Sequence, residues 1–152
     1  MNVAYLQHVA ERARQGLPPL PLAADQAAEV CRHLANPEID ARGRAGLSGP
    51  ELAGLLAERV PPGVAPAAKV KADFLADVAV EKARSPFLAP PRAVEFLGTM
   101  LGGYNVPHLV RFLDDLTLGP LAAAALKRTV LVFDQFAAIQ ALVGRGLLQA
   151  YH

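Results

Sequence analysis

Thirteen prolines and twelve glycines cut this chain into short apolar stretches, and no stretch alternates apolar and polar residues with period two. Proline cannot donate to a hydrogen-bond ladder and glycine weakens any regular element, so each cluster of them marks an element boundary. Between boundaries Ala and Leu dominate over Val, Ile and Thr. Helices are therefore expected throughout and strands are not.

The boundaries carry local signals. Asn2 is placed to cap a first helix reaching Arg14, with Tyr5, Leu6, Val9 and Ala13 at helical spacing, and Gly16 ends it before the extended connector Pro18-Pro19-Leu20-Pro21. A second helix begins near Ala24 or Asp25, buries Ala28, Val30, Cys31 and Leu34, and stops at Asn36-Pro37. Residues 37–47 are charged, glycine-containing and aperiodic, which predicts a mobile loop. Ser48-Gly49-Pro50-Glu51 is a capping box with an early proline and opens a third helix, which Pro61-Pro62-Gly63 closes. Pro66 starts a fourth, with Val70, Phe74, Leu75, Val78 and Ala79 on one side and Lys69, Lys71, Asp73 and Asp77 on the other. A fifth follows Pro90-Pro91 and extends through Val94 and Leu97 to Leu101. Asn105 is expected to cap a sixth; Gly119-Pro120 opens a seventh that runs to Phe133. Asp134 caps or kinks the chain into an eighth with Phe136, Ile139, Leu142 and Val143.

The chain of 152 residues is long enough for one domain, 1–152, with its own core. Eight or so helices with short links imply an all-α fold of antiparallel pairs. Their cadence suggests a HEAT-like superhelix, with a compact bundle as the alternative.

Several chemistries find little support. A net charge of +1 gives no general field for nucleic acid or membranes. The N-terminus lacks a basic start followed by an apolar run, so no signal peptide is indicated. No apolar span reaches the roughly 18 residues of a membrane helix. Cys31 is the sole cysteine, which excludes a thiolate cage or internal disulfide and fits a reducing cytoplasm. It reads as a small buried hydrophobe. His8, His33, His108 and His152 form no pair at metal-ligand spacing. His108, at a helix start, is read as bonding a turn carbonyl. Asp114 and Asp115 are adjacent and diverge on a helix, so they suit a surface ion pair with Arg111 rather than acid–base work. Basic pairs such as Arg12 with Arg14 and Lys127 with Arg128 read as solvated faces. An RNA-binding surface assembled from them is a further reading, but aromatics are sparse and no RNA-module pattern is present.

The final third differs. Between Leu116 and Ala150 only Lys127, Arg128, Asp134 and Arg145 are charged. A helix apolar all round is enclosed or covered by a partner. Leu121, Leu126, Val130, Phe133, Phe136, Ile139, Leu142 and Val143 are the candidate interaction surface.

Gly98 and Gly102, read as four apart on one helix, would admit a neighbouring backbone, and Gly102 and Gly103 suit left-handed cap positions. They belong to Leu97-Gly98-Thr99-Met100-Leu101-Gly102-Gly103-Tyr104-Asn105. With His8–Ala13, Arg59-Val60-Pro61-Pro62-Gly63-Val64, Val70-Lys71-Ala72, Ser85-Pro86, Leu113-Asp114-Asp115 and Phe133-Asp134, this stretch resembles the N-terminal domain of bacterial aconitase B. The resemblance runs almost end to end. It implies an all-α, HEAT-like right-handed superhelix that serves protein association, with itself or with an aconitase-type enzyme. It assigns structural roles to Pro61, Pro62, Gly63, Gly98, Gly102, Gly103, Tyr104 and Asn105. The 4Fe-4S cluster and catalytic cysteines of the full-length relatives are expected to lie outside this chain, leaving it without a cofactor and without catalysis. One departure stands out: the family usually reads Ile-His-Pro-Leu after the Asn, whereas here the order is Val106-Pro107-His108-Leu109.

Overall fold

A computed structural model describes residues 3–36, 47–130 and 135–144. The loop expected at 37–47 lies, but for Leu47, outside the described residues, as do Phe133, Asp134 and His152. Within them the chain is all-α: α1 (Val3–Arg14), α2 (Ala24–Leu34), α3 (Gly49–Glu58), α4 (Pro66–Ala79), α5 (Pro90–Leu97), α6 (Val106–Phe112), α7 (Gly119–Lys127) and α8 (Phe136–Gly144).

Helix starts follow the local chemistry. At α3 the Ser48 hydroxyl accepts from the Glu51 N–H, while the Glu51 carboxylate accepts from the Ser48 N–H at 2.7 Å. The expected capping box is thus complete. At α2 the Gln26 side chain accepts from the Ala23 N–H at 2.9 Å. Prolines occupy the first turn of α3, α4, α5, α6 and α7, where a missing N–H costs nothing. The connector after α1 is held by α1 itself: Tyr5 Oη donates to Leu20 O, His8 Nε2 accepts from Leu20 N–H, and Arg12 Nε donates to Pro18 O.

Helix ends depart from the sequence expectation. α5 stops at Leu97 rather than Leu101, so Gly98 and Gly102 do not share a helix; Gly98 is the C-cap. Leu101, Gly102 and Gly103 then take φ values of 65°, 131° and 78°. Asn105 does not cap α6 with its side chain. It lies buried and donates Nδ2–H to Leu97 O at 2.8 Å, tying the turn to the end of α5. α7 stops at Lys127 rather than Phe133, and the buried Thr129 hydroxyl donates back to Ala125 O at 3.1 Å.

The principal contacts place the helices in the order α3, α2, α4, α5, α7, α6. α2 against α4 and α5 against α7 each skip one element, so pairing is not purely between sequence neighbours. Two glycines permit close approaches, one between α5 and α7 and one between the α3–α4 and α5–α6 links. A Cβ on Gly98 would lie 2.8 Å from the Ala125 Cβ of α7, and one on Gly103 would lie 2.9 Å from Gly63 O. The second contact joins two motifs, Pro61-Pro62-Gly63 and Gly102-Gly103-Tyr104-Asn105. Leu34, Leu56, Leu75, Val94, Leu97, Leu109 and Leu126 form the dry interior.

Candidate interaction surface

α8 has the sequence Phe-Ala-Ala-Ile-Gln-Ala-Leu-Val-Gly, without a charge, yet it sits at the margin of the helix stack. Only Ile139 and Leu142 turn inward. Phe136 is 58% exposed, Ala137, Ala138 and Ala141 are exposed, and Val143 is partly covered. Val130, beyond the end of α7, is 77% exposed. The outer side of α8 is thus uncharged, apolar but for the exposed Gln140, and uncovered by the described residues.

The candidate surface therefore needs correcting. Leu126, Ile139 and Leu142 are buried in the core cluster and are not exposed to a partner. Leu121 and Val143 sit half-buried at its edge, and Val130 and Phe136 face solvent. Of the structural motif, Pro61 and Gly63 are half-buried, Pro62 is exposed, Gly98, Gly102 and Asn105 are buried, and Gly103 and Tyr104 are half-buried.

The polar groups settle into structural positions. His108 Nε2 lies 3.1 Å from Asp73 Oδ1, and Lys69 Nζ lies 2.5 Å from Asp73 Oδ2. His108 thus links α6 to α4, where a bond to a turn carbonyl was expected. Burial raises the Asp73 carboxyl, but the bonds from Lys69 and His108 outweigh it and hold the group below its ordinary value. Asp115 serves a turn: Oδ1 accepts from the Thr117 and Leu118 N–H groups, both at 2.8 Å, and these bonds lower its pKa. Asp115 lines an open groove of about 470 Å³ with Glu81, Val80 and Pro90, but its carboxylate is committed to the backbone. Cys31 is buried as expected, and burial pushes its thiol up to about 12. Among the described residues no three His, Cys, Asp or Glu converge on a metal position, and no helix is long and apolar enough to cross a membrane.

Lys71 was misplaced by sequence reasoning. The sequence pattern puts it on the solvated side of the fourth helix, but it is 3% exposed and its ammonium donates to Ala57 O at 2.9 Å. The overlooked signal is its register: Ala68, Lys71, Ala72 and Leu75 follow the i, i+3, i+4, i+7 pattern of a buried face. The small alanines leave room for the lysine stem.

The family model described as the aconitate B N-terminal domain matches residues 4–151. Aconitate hydratase B of Escherichia coli K12 is 50% identical over 134 residues, covering 87% of this chain and 14% of the relative. That of Synechocystis is 46% identical over 138 residues, 90% of this chain and 15% of the relative. That of Helicobacter pylori J99 is 40% identical over 140 residues, 91% of this chain and 16% of the relative. The chain therefore spans only about a seventh of the length of these relatives.

Proposed function

We propose that this chain, which belongs to the aconitate B N-terminal domain family, is a non-catalytic docking module that associates with itself or with an aconitase-type enzyme. The observation that carries the reading is the uncharged, marginal α8, which leaves Phe136 in water. An apolar helix face is favourable to cover, at roughly 25 cal/mol per Å² removed from water. Ser48 with Glu51, Asp115, and Asp73 with His108 are engaged in a cap, a turn and a helix link, and the single cysteine is a buried, unpaired thiol suited to a reducing cytoplasm.

A second reading rests on coverage. Because the matched relatives continue far beyond the matched segment, the chain also fits the N-terminal portion of an aconitate hydratase that works only beside catalytic domains. The two readings share a docking surface and differ in the occupant.

Sedimentation of the chain alone, and titration with separately produced aconitate hydratase catalytic domains, tests both. Self-association, or a stoichiometric complex, that Phe136→Ser weakens at least tenfold supports docking through α8. A strict monomer that binds neither itself nor the catalytic domains rejects the proposal. Restoration of hydratase activity on mixing selects the second reading, and turnover of a tricarboxylate by the chain alone rejects both.

A further inference from the structure

Lys71 lies where α2, α3 and α4 meet. Its ammonium has three N–H donors, and among the described residues its one hydrogen bond is to Ala57 O in the last turn of α3. That carbonyl belongs to the negative end of the α3 dipole, so the cation caps a neighbouring helix rather than its own. Among the described residues no carboxylate pairs with it. The neighbouring carboxylate on α4, Asp73, is taken by Lys69 and His108. From α2 the facing titratable group is the Cys31 thiol, and it is the one such group that acts on Lys71. From α3 the facing group is the Ala57 carbonyl, and the charged groups of α5, Arg92 and Glu95, pair with each other.

We propose that Lys71, buried where three helices meet and bonded only to the Ala57 carbonyl among the described residues, makes the α2–α3–α4 layer a proton-responsive joint that gains stability when the buried ammonium loses its proton. A cation taken from water with one hydrogen bond and no counter-charge is a standing cost to the folded state. Release of the proton removes that cost, and the amine still donates to Ala57 O.

The pH window follows from two opposed groups. Burial lowers the Lys71 amine from 10.5 to about 8. Below pH 8 both folded and unfolded chains carry the proton. Between 8 and 10.5 the unfolded chain holds a proton that the folded chain has shed, so stability rises with pH. Cys31 runs the other way: burial raises its thiol from 9.0 to about 12. Above pH 9 the unfolded chain loses a proton that the folded chain keeps, and stability falls. These effects leave a rise from pH 8 to 9 and a plateau to about 10, beyond which the Tyr5 hydroxyl, raised above 10.0 by burial, adds to the decline.

Denaturant unfolding of the full chain between pH 7 and 11 tests the joint, with Lys71→Met and Cys31→Ala for comparison. The wild-type folding constant, divided by that of Lys71→Met, is expected to climb about tenfold per pH unit between about pH 8 and 10.5 and to level off beyond. Cys31→Ala is expected to remove the plateau and let the rise continue to about pH 10, where the raised Tyr5 hydroxyl begins to oppose it. Parallel wild-type and Lys71→Met profiles overturn the proposal. Should Lys71→Met not fold, the native-state titration of the Lys71 side chain by NMR decides: a midpoint near 8 supports the joint, and one above 10 refutes it.

Discussion

α4 carries four charged residues in fourteen and buries eight positions, Lys71 included, whereas α8 carries no charge in nine and buries two. Composition alone would rank them the other way. The difference lies in neighbours. α4 is held between α2 and α5, so both of its flanks are enclosed, while α8 stands outside the principal series of contacts and one side meets water. Burial in a stack of short helices is set by position along the stack. The chemistry of each helix then adapts to it: small alanines on α4 admit a lysine stem, and an apolar α8 keeps a face uncovered.

The sharpest way to break this comparison is to delete equal volumes from the two helices. Leu75 on α4 is fully buried, and Leu75→Ala is expected to cost about 3–4 kcal/mol, since its surroundings cannot collapse from either side. Leu142 on α8 is 7% exposed, and the same change there is expected to cost about half as much, because a marginal helix can settle into the gap. Denaturant midpoints compare the pair directly. Equal losses would place α8 in the same rigid core as α4.

One methyl group sharpens it further. Gly98→Ala puts a Cβ within 2.8 Å of Ala125 Cβ and 3.3 Å of its Cα, so α5 and α7 must separate, at a cost of about 1–3 kcal/mol. Gly144→Ala, at the end of α8, meets nothing within 4 Å and is expected to leave stability unchanged or raise it by about 0.5 kcal/mol. The same chemical change thus takes opposite signs in the interior and at the margin. Thermal unfolding of the two variants reads it.

These contrasts also mark what the sequence makes legible. Helix starts are readable because their causes are local: Ser48 and Glu51 satisfy each other across three residues, and Pro66 or Pro120 needs only its own turn. Helix ends at α5 and α7 are not, because long-range or side-chain bonds decide them. Asn105 engages the last carbonyl of α5 from eight residues away, and Thr129 returns to Ala125. The candidate surface is legible as an apolar third but not in its facing. A helix apolar all round has no phase, so nothing in its periodicity separates Ile139, which is buried, from Phe136, which is exposed. Lys71 escapes for the converse reason: residue type outweighed its register among Ala68, Ala72 and Leu75.

A smaller effect comes from the link between α4 and α6. The Asp73 carboxylate is held below its ordinary value in the folded chain, so its contribution is present above pH 3.8 and is lost as pH falls through the folded-state value. Asp73 is 48% exposed, and solvent screening keeps this contribution modest. Asp73→Asn is expected to flatten the acid side of the stability profile below pH 4 while leaving pH 7 to 9 unaltered in shape. His108→Ala is expected to flatten it in part, since Lys69 still holds the carboxylate. An acid limb that Asp73→Asn leaves unchanged would show that the α4–α6 link does not bear on folding.

The smallest expected effect is on the outer face of α8. Phe136→Ala removes a large ring that is 58% exposed, so little burial is lost, and stability is expected to change by less than about 0.5 kcal/mol. This near-silence gives the substitution its use. Had the ring been part of the interior, its loss would cost about 3–5 kcal/mol, and any loss of association could be charged to unfolding. With stability held constant, a fall in self-association or in binding to catalytic domains isolates the face itself. A fall in stability comparable to that of Leu75→Ala would instead return α8 to the core and erase the contrast with α4.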